Sequence, residues 1–411
     1  MAPAGPCVVA APAPPAQEDP VRSIVKLAAP AAAAALLLAA CGTTGGDETT
    51  AAEGSSSGSS SCPADVSIGF FGALTGPNAN LGVNEQNGVK LAVDQHNAES
   101  GACQVTVTPY DSQGDQNQAQ GLAQQVVGDE NVLGIVGPAF SGESKVADPI
   151  FDEAGIVGIS PSATNPALAE NGWKTFFRVL GNDASQGPAA ATYISDTLGK
   201  QKVYVIDDAT EYGKGLADIV RESLGAKAVK NNTIQTGQTD FSAVVADVQA
   251  SGADAVFFGG YYPEGGLLLK QLRESGLSAD KLAFITDDGA KDEGLITAAG
   301  AAAAEGALMT CPCLPPDKAG GTFVADYTEA YGTAPATYSA EAFDAANILL
   351  DGIAEGNVTR EDLLAYVKSY DKPGVTKQLK FDEKGEPSEV SVWAYKVEGG
   401  EIVADQEINA S

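Results

Sequence analysis

The chain has 411 residues, 44% of them apolar, which is enough for two domains with real cores. Its 54 acidic residues against 24 basic ones leave a net charge of −30, the wrong sign for nucleic acid, whose phosphates need Lys and Arg. One histidine, His96, and six cysteines without a CxxC pair argue against a metal site of the usual ligands and against a histidine-driven catalytic engine. The first element in chain order is an address. Arg22 and Lys26 precede an apolar run over residues 27–40 that ends in small residues, the pattern of a secretion signal over residues 1–40. The run falls short of the roughly 20 residues that a membrane span needs. The Pro-rich start, with Glu18 and Asp19, is foreign to such a signal, and translation from near Val21 would remove it.

The four residues ending at Cys41 (LAAC) resemble the bacterial lipobox, which implies lipidation of Cys41 as the first mature residue. Gly, Ser, Thr and Ala dominate the stretch up to residue 61 and cannot bury enough apolar surface to order it. Residues 41–62 therefore read as a flexible tether between lipid and domain.

From residue 65 short apolar runs alternate with amphipathic stretches. Strands are expected over 66–71, 104–110, 132–136 and 156–159, with helices over 85–98, 117–127 and 143–153 between them. His96 falls on the first helix and reads as an exposed or edge position. A second series has strands over 202–206, 228–234, 253–258, 282–286 and 307–310, with helices over 212–224, 242–249 and 265–274. Residues 301–304 (AAAA) read as a loop or helix end. Helices return over 340–355 and 361–369, and strands over 377–381 and 390–397. Near-continuous apolar strands alternating with helices mean parallel sheets covered on both faces, so the fold class is α/β, in two doubly wound lobes.

Export permits disulfides. Cys62 precedes the first strand and Cys103 the second, and neighbouring parallel strands bring these starts together, so Cys62–Cys103 is the expected bridge. Cys311 and Cys313 flank Pro312 and either close a tight ring, the expected state, or stay reduced. Cys7 leaves with the signal.

Ligands of open α/β sheets sit beyond the carboxyl ends of the strands. Phosphate signatures are absent from those loops. After the third strand, Ser141 opens a helix whose free N–H groups suit a carboxylate. The loop over 160–166 (SPSATNP) adds further N–H groups and Thr164. In the second lobe Asp288, past a buried strand, is a candidate partner for an ammonium group, and Tyr212 and Tyr261 can close over the ligand.

Taken together, residues 72–77 (GALTGP), 160–166 (SPSATNP), 185–188 (SQGP), 212–216 (YGKGL) and 259–264 (GGYYPE), in this order, resemble the leucine/isoleucine/valine-binding proteins of branched-chain amino-acid ABC transporters. The resemblance runs from about residue 65 to 403. It implies the type I periplasmic-binding fold, with three crossings between lobes near 182–186, 311–316 and 370–375. The first lobe would comprise 63–183 plus 314–372, and the second 184–313 plus 373–411. It implies a carboxylate site at Ser141, Ser162, Ala163 and Thr164, an ammonium site at Asp288, where the family commonly has glutamate, and aromatic caps at Tyr212 and Tyr261. Leu81 stands where the family usually has an aromatic, which reshapes the side-chain pocket.

The implied function is an exported, monomeric solute-binding lipoprotein that closes around a small amino acid and delivers it to an ABC permease. It sits on the outer face of the cytoplasmic membrane, with no metal, cofactor or catalysis. The same fold also serves receptors and sensors for other small molecules, such as an amide, urea or an aromatic acid, and Asp288 and Leu81 are the discriminating positions.

Overall fold

The computed structural model describes residues 62–408; the expected signal, the lipid site Cys41 and nearly all of the tether lie outside them. The first series of elements is β1 (Val66–Gly72), α1 (Ala79–Ala98), β2 (Val105–Asp111), α2 (Gln116–Gly128), β3 (Val132–Val136), α3 (Ser141–Ala154), β4 (Val157–Ser160) and β5 (Phe176–Arg178). The second is α4 (Asp183–Thr192), β6 (Val203–Asp207), α5 (Glu211–Leu224), β7 (Ala228–Thr233), α6 (Ser242–Ser251), β8 (Ala255–Gly259), α7 (Tyr262–Glu274), β9 (Ala283–Thr286), α8 (Glu293–Ala299), α9 (Ala301–Ala304) and β10 (Leu308–Cys311). There follow α10 (Phe323–Tyr331), α11 (Ser339–Ala354), α12 (Arg360–Lys368), β11 (Asp371–Pro373), β12 (Gln378–Lys380), β13 (Val392–Glu398) and β14 (Glu401–Ile408).

The first sheet is parallel, in the order β2-β1-β3-β4-β5. The second runs β14-β13-β10-β9-β8-β6-β7, parallel except where β13 and β14 join antiparallel. Without those two strands both sheets share one winding, starting inside, stepping once to one side and then progressing to the other. Strand order reverses between β1 and β3 and between β6 and β8, and such switch points are where open α/β sheets take their ligands.

Burial on both faces explains the continuous apolar runs. Every residue of β1 is buried. Ile68 and Phe70 pack with Val89 and Ala92 of α1 and with Ala346 and Leu349 of α11. Phe71 points the other way, into Ala119 and Ala123 of α2 and Ala147 and Phe151 of α3. Each such phenylalanine removes enough apolar area from water to contribute roughly 1.5–3 kcal/mol. In the second lobe Val205, Phe257 and Ile285 share a core with Leu216 and Val220 of α5 and Leu268 of α7. Gly88 sets the approach of α11 to α1, since a Cβ there would stand 2.1 Å from the carbonyl oxygen of Ser339.

The crossings differ from expectation at the third segment. Residues 373–386 were placed in the second lobe, but they pack on the first. Leu379 and Phe381 join its core, the Phe381 ring lies 5.0 Å from that of Phe177, and Arg178 N–H donates to Gly385 at 3.0 Å. The chain crosses only after Glu386, before Val392 packs against Ala189 and Tyr193. The first crossing is also earlier, over 179–182, because the Asn182 side chain caps α4 at Asp183. His96 is buried rather than exposed, with Nε2 2.9 Å from the carbonyl oxygen of Cys103. Residues 301–304 form the short α9, and β5, α4, α8, α10, β11 and β14 are elements that the sequence pattern does not predict.

Cys62 and Cys103 are bonded, their Cα atoms 5.4 Å apart at the starts of adjacent strands. Cys311 and Cys313 are bonded at the second crossing. The first bond spans 41 positions, and the denatured-chain entropy removed by closing such a loop corresponds to at most about 4 kcal/mol. The double variant Cys62→Ala/Cys103→Ala is expected to keep its native circular-dichroism spectrum and melt several degrees lower. An unchanged melting temperature would show that the linkage constrains nothing that folding needs.

Candidate functional site

The loops at both switch points meet around one pocket. The first lobe contributes Leu81 and Glu85 from α1, Ala139 and Phe140 after β3, Ser141 at the start of α3, Ser162 after β4, and Tyr338 ahead of α11. The second contributes Tyr212 from the first turn of α5, Tyr261 ahead of α7, and Asp288 and Gly289 after β9.

The first wall is built from short polar side chains locked to backbone. Ser160 Oγ donates to the Pro138 carbonyl at 2.7 Å and accepts from Ala163 N–H at 2.9 Å. Ser162 Oγ donates to the Ala139 carbonyl at 2.6 Å, and Ser141 Oγ accepts from Asn165 N–H at 3.2 Å. Behind this loop lies Arg178, fully buried at the end of β5. It donates to the carbonyls of Ala163 at 2.7 Å and Asn165 at 3.1 Å. Its remaining nitrogens form a fork on Glu386 at 2.9 and 2.5 Å. A planar guanidinium suits this two-sided task because its donors leave in fixed directions. The wall thus presents hydroxyls and the N-terminus of α3, groups that stabilise negative charge.

The opposite wall is anionic. Asp288 Oδ1 accepts from Tyr212 at 2.7 Å and from Gln186 Nε2 at 2.6 Å, and Oδ2 accepts from the Tyr338 hydroxyl. Burial pushes the Asp288 carboxyl above its ordinary range, and these donors oppose the push. Its neighbour Asp287, which accepts from Gly260 N–H at 2.8 Å, is pushed well above that range by burial and then by the Asp288 charge. Aromatic rings bridge the lobes, Tyr261 lying 5.3 Å from Phe140 on one side and 5.3 Å from Tyr212 on the other.

The lobes are shut on each other. At the rim Lys145 pairs with Glu211 at 2.9 Å, Asn165 Nδ2 donates to the Glu211 carbonyl at 2.9 Å, and Asn80 Nδ2 donates to Asp292 at 2.7 Å. The exposed ion pair contributes roughly 0–1 kcal/mol and the two part-buried amide bonds roughly 0.5–3 kcal/mol each, so the rim favours closure only modestly.

Of the residues expected at the site, Leu81, Ser141, Ser162, Tyr212, Tyr261 and Asp288 line the cavity. Ala163 and Thr164 do not line it. Both are buried, Ala163 with its carbonyl turned to Arg178, and Thr164 with its carbonyl accepting from Asp183 N–H at 2.9 Å and its Oγ1 without a partner. Glu85, Ala139, Phe140, Gly289 and Tyr338 also line the cavity, beyond the residues the sequence pointed to. The signal for Glu85 was a charge among the apolar positions of α1; for Tyr338 there was none.

A family model described as periplasmic binding protein matches residues 65–401. An amino acid binding protein of Pseudomonas aeruginosa is 35% identical over 333 residues, 79% of this chain and 87% of its own length. The Leu/Ile/Val-binding protein homolog 1 of Brucella abortus is 34% identical over 345 residues, 82% of this chain and 91% of its own. Among solved structures, the branched-chain amino acid transporter substrate-binding protein of Streptococcus pneumoniae, in complex with isoleucine, aligns with a TM-score of 0.77 at 28% identity, covering 83% of this chain and 98% of that one.

Glu85 gives the cavity a pH signature. Its Oε2 is buried without a partner, and burial pushes its carboxyl up to about 8. A carboxyl raised in the folded state holds its proton more tightly there. Its contribution to stability is full below the unfolded value of 4.5 and is lost as pH rises towards about 8. Glu85→Gln is therefore expected to lose less melting temperature than the wild type between pH 5 and pH 8. Parallel profiles for the two proteins would show that Glu85 carries no proton across that window.

Proposed function

The chain belongs to the periplasmic binding protein family, and from that premise we propose that it is the solute receptor of an ABC importer, closing around an amino acid of the branched-chain class. One observation carries this reading: the buried Asp288 carboxyl faces the hydroxyls of Ser141 and Ser162 and the N-terminus of α3 across one pocket, the two ends that a zwitterion needs. In the proposed complex Ser141 and Ser162, with the backbone N–H groups at the start of α3, hold the carboxylate, while Ala163 and Thr164 sit behind them and set the loop. Asp288 takes the ammonium group, Tyr212 and Tyr261 cover the ligand, and Leu81 shapes the space for its side chain. Support for the branched-chain class comes from the relatives, whose names specify those amino acids.

The pairing follows from desolvation. A lone charge in a closed cleft is costly, whereas opposite charges matched at both ends of one ligand offset that cost. Closure then shifts with ligand because only the shut state offers both ends at once.

In a thermal-shift panel of the twenty amino acids and small amides, leucine, isoleucine and valine are expected to raise the melting temperature most. Removing one partner of a buried charge pair costs roughly 3–5 kcal/mol, so Asp288→Ala is expected to weaken leucine binding at least about a hundredfold by calorimetry. An unaltered affinity in that variant would refute the ammonium role.

The signal over residues 1–40 and the lipobox-like residues before Cys41 extend the proposal to an exported protein tethered by lipid on the outer face of the cytoplasmic membrane. Mass spectrometry of the membrane-extracted protein is expected to find a lipid-modified N-terminal Cys41. A mature chain beginning elsewhere and unmodified would reject the anchor.

A further inference from the structure

The segment ahead of α11 does something the carboxylate and ammonium sites do not account for. Thr337 and Tyr338 belong to the first lobe, yet both bond to the loop after β9 in the second. Tyr338 donates to Asp288 Oδ2. Lys291 Nζ donates to Thr337 Oγ1 at 3.1 Å, and that hydroxyl donates to the Lys291 carbonyl. Two consecutive residues thus grip the loop over 287–292 across the cleft.

Tyr338 is held there under constraint. Its φ of 67° is left-handed, a conformation that a bulky side chain rarely adopts. It is 3% exposed, and its neighbour Ser339 is pressed onto Gly88 of α1. Non-glycine residues in this region persist where the surroundings over-determine them, and such sites cluster at ligand clamps.

The bonding of Asp288 shows what the constraint serves. A carboxylate has about four acceptor positions. Oδ1 is occupied by Gln186 and Tyr212, both from the second lobe, so it is fixed whether the lobes are open or shut. Oδ2 is approached by Tyr338, which reaches it only when they are shut. The oxygen left for a ligand is therefore the one whose direction and dryness depend on closure.

We infer that Thr337 and Tyr338 form a clasp that couples closure of the lobes to recognition of the ligand's amine, with Tyr338 as the positioning residue for Asp288. The inference rests on the amino-acid reading proposed above. The clasp forms after the ligand has entered, so it acts on escape rather than on entry. Its strength belongs to the shut state, since both hydroxyls return to water when the lobes part.

The test uses the full mature chain with Tyr338→Phe and, as a second variant, Thr337→Val, which leaves the ring in place. The twenty amino acids are screened against the wild type, and the tightest binder is followed by calorimetry and stopped-flow dissociation. A hydrogen bond to a charged group corresponds to roughly tenfold or more in affinity, so Tyr338→Phe is expected to bind about tenfold more weakly. The loss should appear as faster dissociation, with association changed less than about twofold. Thr337→Val should shift dissociation in the same direction by a smaller factor. Both ligand-free variants should melt close to the wild type. A lower melting temperature with wild-type dissociation would assign Tyr338 to folding alone and overturn the clasp, as would wild-type affinity in both variants. A wild-type chain that binds none of the twenty would overturn the amino-acid reading and the clasp together.

Discussion

The constraint on which the rest depends is that Asp288 cannot be left alone in a closed cleft. Its carboxyl is buried, and acids crowd it. Asp287 adjoins it in the chain, and Asp183, whose two oxygens are buried without partners, is pushed up to about 8 by burial and then by the Asp288 charge. Gln186, Tyr212 and Tyr338 supply dipoles but no compensating positive charge. Lys291, the nearby buried cation, is turned towards Thr337 and lies over the Tyr395 ring at 4.3 Å. On the proposed reading a ligand that brings its own ammonium group removes the imbalance, and amine selectivity then follows from what the protein omits from the wall.

The first-lobe wall is organised by one guanidinium. Arg178 holds the loop after β4 through the carbonyls of Ala163 and Asn165 and is itself held by Glu386 at the third crossing. Glu386 Oε1 also accepts from Asn182 at the first crossing, at 3.1 Å. Two strands of the hinge and one wall of the site therefore share a single ionic junction. Such a junction is a weak source of net stability but a strong source of register, because removing either partner leaves an unpaired buried charge. The loop that presents Ser162 is therefore set by the same contacts that set where the hinge begins.

Much of this was legible in the sequence, and the parts that were not have identifiable causes. Strands β1, β3, β6, β8 and β9 are buried on both faces and stood out as apolar runs. β5 is three residues long and α4 begins with Asp-Ala-Ser-Gln-Gly-Pro, a poor helical signal, so both were passed over. β14 is largely exposed and charged, with no apolar period to mark it. The third crossing was misplaced because residues 377–381 look like a strand of the nearer sheet in sequence, whereas Phe381 is drawn to Phe177 in the other lobe. Within the site, loops after strands pointed to Ser141, Ser162 and Asp288. Tyr338 lies ahead of a helix from a distant part of the chain, brought in by the packing of α11 on α1 at Gly88, and no local pattern encodes that approach.

The repeated winding of the two sheets explains why a single cleft can be so polarised. Each lobe offers its switch point at the carboxyl ends of its central strands, so facing the two lobes brings like geometry to like geometry. What differs is the residues at the strand ends. After β3 and β4 the first lobe has small neutral groups, Ala139, Ser141 and Ser162; after β9 the second has Asp287 and Asp288. In the proposed complex this asymmetry orients the zwitterion, its ammonium end towards Asp288. The weak bonds at the rim then become useful, because a cleft that shut firmly on its own would neither admit a ligand nor release it. On the proposed reading the free energy for closure comes from inside, from ligand charges matched across the cavity, and closure then follows ligand binding.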